Sequence, residues 1–125
     1  MTSYLVSALE PGSWRIGIGE LVKLLKREWP ELVILVGEPD EHREVYFEGN
    51  TKYGYVFGFL QPEGNTVVVE MVDDMRAIVS IAIWFRSIVP ADIPLLLFNE
   101  SYTREFPVTP STTEDELASK FLAER

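Results

Sequence analysis

The sequence predicts a two-layer α+β domain: an antiparallel sheet of about five to six strands, with three helices packed mainly on one face. Three observations carry this reading. The chain has 125 residues, the size of one domain (1–125), and 46% of them are hydrophobic, enough for one core without a disulfide or metal staple. Its middle strands follow one another through short turns, which pairs them antiparallel. No regular strand–helix–strand alternation is present, so a parallel Rossmann-like sheet is not expected.

Taken in order, residues 1–9 alternate weakly and predict an edge strand, closed by the turn Glu10-Pro11-Gly12-Ser13. Ile18, Leu21, Val22, Leu25 and Trp29 recur at helical spacing and define one buried stripe, stopped by Pro30. Leu32 to Val36 is an apolar run ended by Gly37 and Pro39, hence a strand. Val45-Tyr46-Phe47 is a short strand with a turn at Gly49-Asn50. Lys52 to Gln61 is the strongest strand, with Tyr53, Tyr55, Phe57 and Phe59 on one face by the period of two. That aromatic face is expected to pack under the helices, with Phe57 in the core. After the turn Pro62-Glu63-Gly64-Asn65, Thr66 to Val72 pairs back as a hairpin.

Asp73 or Asp74 can cap the helix Met75–Val89, which is apolar on nearly every side and predicts burial on more than one; Ile81 is a core position. Pro94 to Phe98 and Thr103 to Val108 read as a further hairpin. Ser111-Thr112-Thr113-Glu114 has the spacing of a capping box, opening a last helix that buries Leu117, Ala118, Phe121 and Leu122.

Chemistry is conspicuous by its missing parts. There is no Cys, so thiol catalysis and zinc–thiolate sites are excluded. The one His, His42, lies in a charged loop with no nucleophile elbow near any Ser. Glu38, Asp40, Glu41 and Glu44 lack the ligand order of an EF-hand loop. Gly17-Ile18-Gly19 precedes a helix, but Val22 stands where a dinucleotide fingerprint needs its third glycine, so a tight start to the helix is expected. No catalytic residue, cofactor or metal is therefore expected, and an acidic hydrolase built on carboxylates is the weakest reading. No apolar run reaches the ~18 residues of a membrane span and no signal peptide is read at Met1, so a soluble cytoplasmic protein with no membrane contact is expected.

Charge is the informative outlier. Twenty Asp and Glu against eleven Lys and Arg leave −9, which disfavours nucleic acid because phosphate contacts need cations. Glu28, Glu31, Glu38, Asp40, Glu41, Glu44 and Glu48 crowd a span in which only Arg43 is basic. Such a field steers a basic protein partner. The partner-binding set expected is Glu38, Asp40, Glu41, Glu44 and Glu48, with Tyr46 and Tyr53 as aromatic anchors.

Trp84-Phe85-Arg86-Ser87-Ile88-Val89-Pro90, Leu95-Leu96-Leu97-Phe98-Asn99-Glu100-Ser101-Tyr102 and Thr109-Pro110-Ser111-Thr112-Thr113 resemble segments of small acidic bacterial immunity-type proteins of toxin–immunity systems. The resemblance covers about a third of the chain. It implies a non-enzymatic inhibitor that neutralises a basic toxin or effector by stoichiometric occlusion. The element order is also similar to that of secretion-chaperone domains. That likeness implies a homodimer holding an export substrate, with the helix Met75–Val89 as its contact surface.

Overall fold

The computed structural model describes residues 3–8, 14, 16–36, 45–61, 65–101 and 103–123. The elements run β1 (Tyr4–Ala8), α1 (Ile18–Glu28), β2 (Val33–Val36), β3 (Val45–Thr51), β4 (Gly54–Leu60), β5 (Thr66–Val72), α2 (Arg76–Ile88), β6 (Leu95–Asn99), β7 (Glu105–Pro107) and α3 (Glu114–Ala123). The strands form one sheet in the order β2-β3-β4-β5-β1-β6-β7, and every neighbouring pair is antiparallel. The expected two-layer α+β class is what forms. Its sheet has seven strands rather than five to six, because the short β2 and the three-residue β7 both join it. Among the described residues no helix is long and apolar enough to cross a membrane.

β1 is not an edge strand. It lies between β5 and β6, with Val6 opposite Val67 on one side and Leu97 on the other. The alternation is weak because neighbours shield both its faces: Val6 and Ala8 are buried, and Leu5 and Ser7 are half-buried.

The three helices share one core with one face of the sheet. Leu21 and Leu25 of α1 are fully buried, and Trp29 meets Trp84 of α2 edge-on at 5.4 Å. The Trp29 amide closes α1 onto the Leu25 carbonyl just before Pro30. Gly17 sits at the start of α1 in extended conformation, and a Cβ at Gly17 or Gly19 would meet nothing within 4 Å, so this start is open rather than tight. In α2, Ile81 is 2% exposed, as expected, and Ile78, Ala82 and Phe85 are buried beside it. Asp74 Oδ1 accepts from the Arg76 amide at 2.9 Å, so Asp74 serves the helix start. Asp73 instead extends the sheet: its amide donates to the Tyr55 carbonyl, and its Oδ2 accepts from the Tyr55 amide, both at 3.0 Å.

The capping box of α3 lies two residues later than the sequence spacing suggested. Thr113 Oγ1 accepts from the Glu116 amide at 3.1 Å, and Glu116 Oε1 accepts from the Thr113 amide at 3.2 Å. Ser111 with Glu114 and Thr113 with Glu116 both satisfy the pattern, and the second pair makes the bonds. Phe121 of α3 is fully buried against Tyr4 and Phe106 at 5.3 and 5.4 Å, both edge-on.

Two local features decide which side chains face the helices. The β3–β4 turn is Thr51-Lys52-Tyr53-Gly54 rather than Gly49-Asn50; Thr51 Oγ1 accepts from the Tyr53 amide, and Gly54 takes φ 95°, a conformation that glycine adopts freely. Pairing between β4 and β5 slips between Phe57 and Gly58: Phe57 faces Met71 and Gly58 faces Val69, leaving Glu70 as the extra residue of a bulge. The bulge turns Val72 toward the core and Met71 away from it. Val56, Gly58 and Leu60 are the residues of β4 under the helices. Phe57 is therefore not a core residue. It is half-buried on the opposite face, because Phe47 fills the helix side over Gly58.

Arg86 is the buried cation of α2, 7% exposed, and its described partners are backbone carbonyls. Its Nη1 donates to the Ile93 carbonyl at 2.9 Å and the Val108 carbonyl at 3.2 Å; its Nη2 donates to the carbonyls of Val89 and Pro90. Burial holds its pKa below the ordinary guanidinium value. The side chain joins the end of α2 to the segments before β6 and after β7.

Candidate protein-binding face

The side of the sheet away from the helices is built by the odd half of the strand period. Leu35 of β2 lies opposite Tyr46 of β3, Tyr46 opposite Phe59 of β4, and Phe59 opposite Val68 of β5. Val68 in turn faces Leu5 of β1, and Leu5 faces Phe98 of β6. This is one apolar row across six strands. A second row runs Val33, Glu48, Phe57, Met71. Val68 and Phe98 of the first row are buried, and Leu5, Tyr46, Phe57 and Phe59 are half-buried, so the face opens to solvent mainly toward β2 and Met71. Val33, Leu35 and Met71 are 53%, 49% and 44% exposed, and they are the exposed large hydrophobic residues of the described chain.

The aromatic rings on this face support one another. Tyr46 stacks on Phe57 at 6.1 Å with 15° between planes, and tilts against Phe59 at 5.8 Å. Such pairs contribute about 0.5–1.5 kcal/mol beyond their buried area. Tyr55 adds a polar tip: its hydroxyl donates to Glu48 Oε2 at 2.9 Å.

The described cations lie off the strand positions of this face, in the helix layer and at Lys52 of the β3–β4 turn. Lys23, Lys26 and Arg27 are exposed on α1, Arg76 begins α2, and Lys120 lies in the last turn of α3. Arg104 lies over the rings of Phe106 and Phe121, 5.3 Å from each, on the helix side. The strand positions of the open face carry Glu48 and Glu105, with Glu70 at the bulge, and no Lys or Arg. An apolar surface bearing only acids favours a partner that brings both apolar and basic groups.

Of the residues expected to bind a partner, Tyr46 and Glu48 meet on this face. Tyr53 does not join them. It sits in the β3–β4 turn, and its hydroxyl donates to Glu114 Oε1 of α3 at 2.9 Å, so it fastens the hairpin tip to the helix layer. Glu38, Asp40, Glu41 and Glu44 lie outside the described residues, as does His42. Leu35, Phe59, Phe57, Met71 and Val33 were missed as site residues, although the period of two already separates Tyr55, Phe57 and Phe59 from Val56 and Leu60. Both sets are apolar, so period alone does not say which set the helices cover. Among the described residues no three His, Asp or Glu side chains converge as a metal site would require. Comparison with protein-family models, with curated proteins and with solved structures returns no match for the chain.

The Tyr55–Glu48 contact has a spectroscopic signature. The hydrogen bond to Glu48 raises the Tyr55 pKa above its ordinary value, reinforced by burial and by the negative charges of Glu48 and Asp73. A phenol that donates to a carboxylate resists ionisation, and a phenolate there would face two anions. Because the folded-state pKa is the higher one, the contribution to stability is present below the unfolded-state value and lost as pH rises through the folded-state value. Ultraviolet titration should show one tyrosine ionising late in the wild type and earlier in Glu48→Gln. An unchanged titration curve would exclude the contact.

Proposed function

We propose that this protein is a non-enzymatic protein-binding module, an immunity-type inhibitor that neutralises a basic toxin or effector by stoichiometric occlusion in the cytoplasm. The observation that supports this reading is the partly exposed apolar sheet face around Val33, Leu35 and Met71, whose described strand positions carry carboxylates and no cation. The aromatic cluster Tyr46–Phe57–Phe59 supplies the desolvated anchor, and Glu48 with the acidic stretch Glu38, Asp40, Glu41 and Glu44 supplies the steering field. No cofactor enters this mechanism, since occlusion needs only complementary surface.

The test is capture of a partner from the native host followed by kinetics with that partner. Leu35→Lys and Met71→Lys alter exposed residues, so each should change folding stability by only about 0.5 kcal/mol. Each should weaken binding by more than about 1 kcal/mol if the face is the contact surface. Reversing Glu38, Asp40, Glu41, Glu44 and Glu48 to Lys should slow association at low salt and flatten its salt dependence, because screening acts over about 8 Å at physiological ionic strength. Full binding by the Leu35 and Met71 variants would remove the face from the mechanism.

The secretion-chaperone reading, a homodimer holding an export substrate, draws on the same face. Its expected contact surface, α2, is a buried core helix, with Ala77, Ile78, Val79, Ile81, Ala82, Trp84, Phe85 and Arg86 buried. Self-association would have to use the open face, where carboxylate meets carboxylate. Sedimentation equilibrium separates the two readings: a monomer favours the inhibitor, and a dimer broken by Met71→Lys favours the chaperone.

A further inference from the structure

We infer that β2 is a receptor edge, which takes up an extended, basic segment of the protein partner as an additional antiparallel strand. The inference rests on the protein-binding reading and specifies where and how the partner attaches. The two ends of the sheet differ. β7 is three residues long and includes Pro107, which has no N–H to donate, so that end is blunted. β2 is Val33-Ile34-Leu35-Val36, with no Pro, no charge and no bulge, and among the described residues it pairs only with β3. One side of its backbone is thereby left to accept a strand. Val33 and Leu35, about half exposed, belong to the open face, so a strand beside β2 would lengthen both apolar rows by one side chain.

Charge selects the occupant. β2 follows Glu28 and Glu31 and precedes Glu38, Asp40, Glu41 and Glu44 in the chain, and Glu48 stands opposite Val33 on β3. A second copy would bring its own Glu31 and Glu48 to the same edge. Like charges so placed oppose pairing. An apolar strand flanked by Lys or Arg carries the complementary charge instead.

The test uses a capped peptide of alternating valine and threonine with two lysines at each end, together with versions N-methylated on odd or on even residues and a glutamate-flanked version. Binding of the lysine-flanked peptide should slow amide exchange in β2. One N-methylated peptide, the one whose methyls face β2, should bind about tenfold or more weakly, the loss expected for a removed backbone hydrogen bond, while the other retains affinity. The glutamate-flanked peptide should fail to bind. Equal binding by both N-methylated peptides, or perturbation confined to Tyr46, Phe57, Phe59 and Met71, would overturn edge pairing while leaving the face as the contact surface. Absence of binding by the lysine-flanked peptide would also overturn it, and partner capture sensitive to Met71→Lys would still stand. Concentration-dependent protection of β2 without peptide would assign the edge to a second copy.

Discussion

Gly58→Ala should be among the most damaging single changes in this protein, costing about 4 kcal/mol or more, at the far end of what point substitutions do. A Cβ on Gly58 would lie 2.2 Å from the Val68 carbonyl oxygen and 2.8 Å from Phe47 Cζ. Neither neighbour has room to retreat. The carbonyl belongs to β5, held between β4 and β1, and Phe47 is fully buried under the helices. Overpacking against movable side chains usually costs about 1–3 kcal/mol, and a backbone oxygen is less forgiving. Phe47→Leu in the same chain should recover little, because it relieves only the ring contact. Urea unfolding of the single and double variants measures both quantities. A cost below about 1 kcal/mol for Gly58→Ala would mean that β4 and β5 do not approach as closely as described.

Arg86→Met should cost about 3–5 kcal/mol, although methionine is apolar, unbranched and a good helix former. The reason is the set of acceptors it abandons. Val89 carries a carbonyl at the end of α2 with no helical partner, and Ile93 and Val108 bring two more from separate segments, whereas the Pro90 carbonyl keeps the Ile93 amide. Each buried acceptor left unpaired carries a penalty of about 1–3 kcal/mol. Arg86→Lys should recover only part, since one ammonium lacks the planar fork that reaches acceptors on two sides. Thermal melting gives the magnitude, and exchange at the Val108 amide reports whether the segment after β7 has loosened. A loss under about 1 kcal/mol in the methionine variant would show that water satisfies these carbonyls.

Much of this architecture is legible in residue order, and the failures have identifiable causes. The helical stripe Leu21–Leu25 and the all-round apolar α2 announce themselves because burial on a helix writes a period into the chain. The face of β4 does not. Its aromatic residues look more like core than Val56, Gly58 and Leu60, yet a ring from β3 occupies the space over Gly58, and only the glycine hints at that. The bulge at Glu70 is invisible to a period of two, and it sends Met71 outward. Tyr53 is expected in the strand Lys52–Gln61, on one face with Tyr55, Phe57 and Phe59; with the turn at Lys52-Tyr53, its hydroxyl reaches α3 instead. Tyr46 and Glu48 are readable as candidates, whereas Leu35 and Met71 become candidates only once the layers are assigned.

The position of β1 has a consequence for how the molecule comes to exist. β1 is the seam between a four-stranded and a two-stranded part of the sheet, paired with residues 66–69 on one side and 95–99 on the other. A ribosome delivers it long before either neighbour. The β2–β5 meander can form through local turns, and so can the β6–β7 hairpin, but the two join only when β1 threads between them. Such distant pairing closes large loops before it returns any contact energy, and folding slows accordingly. Until that moment β5 and β6 each present an open hydrogen-bonding edge. Any form of the chain in which β1 has not docked therefore carries two unpaired strand edges that the finished sheet conceals, and such edges invite aggregation.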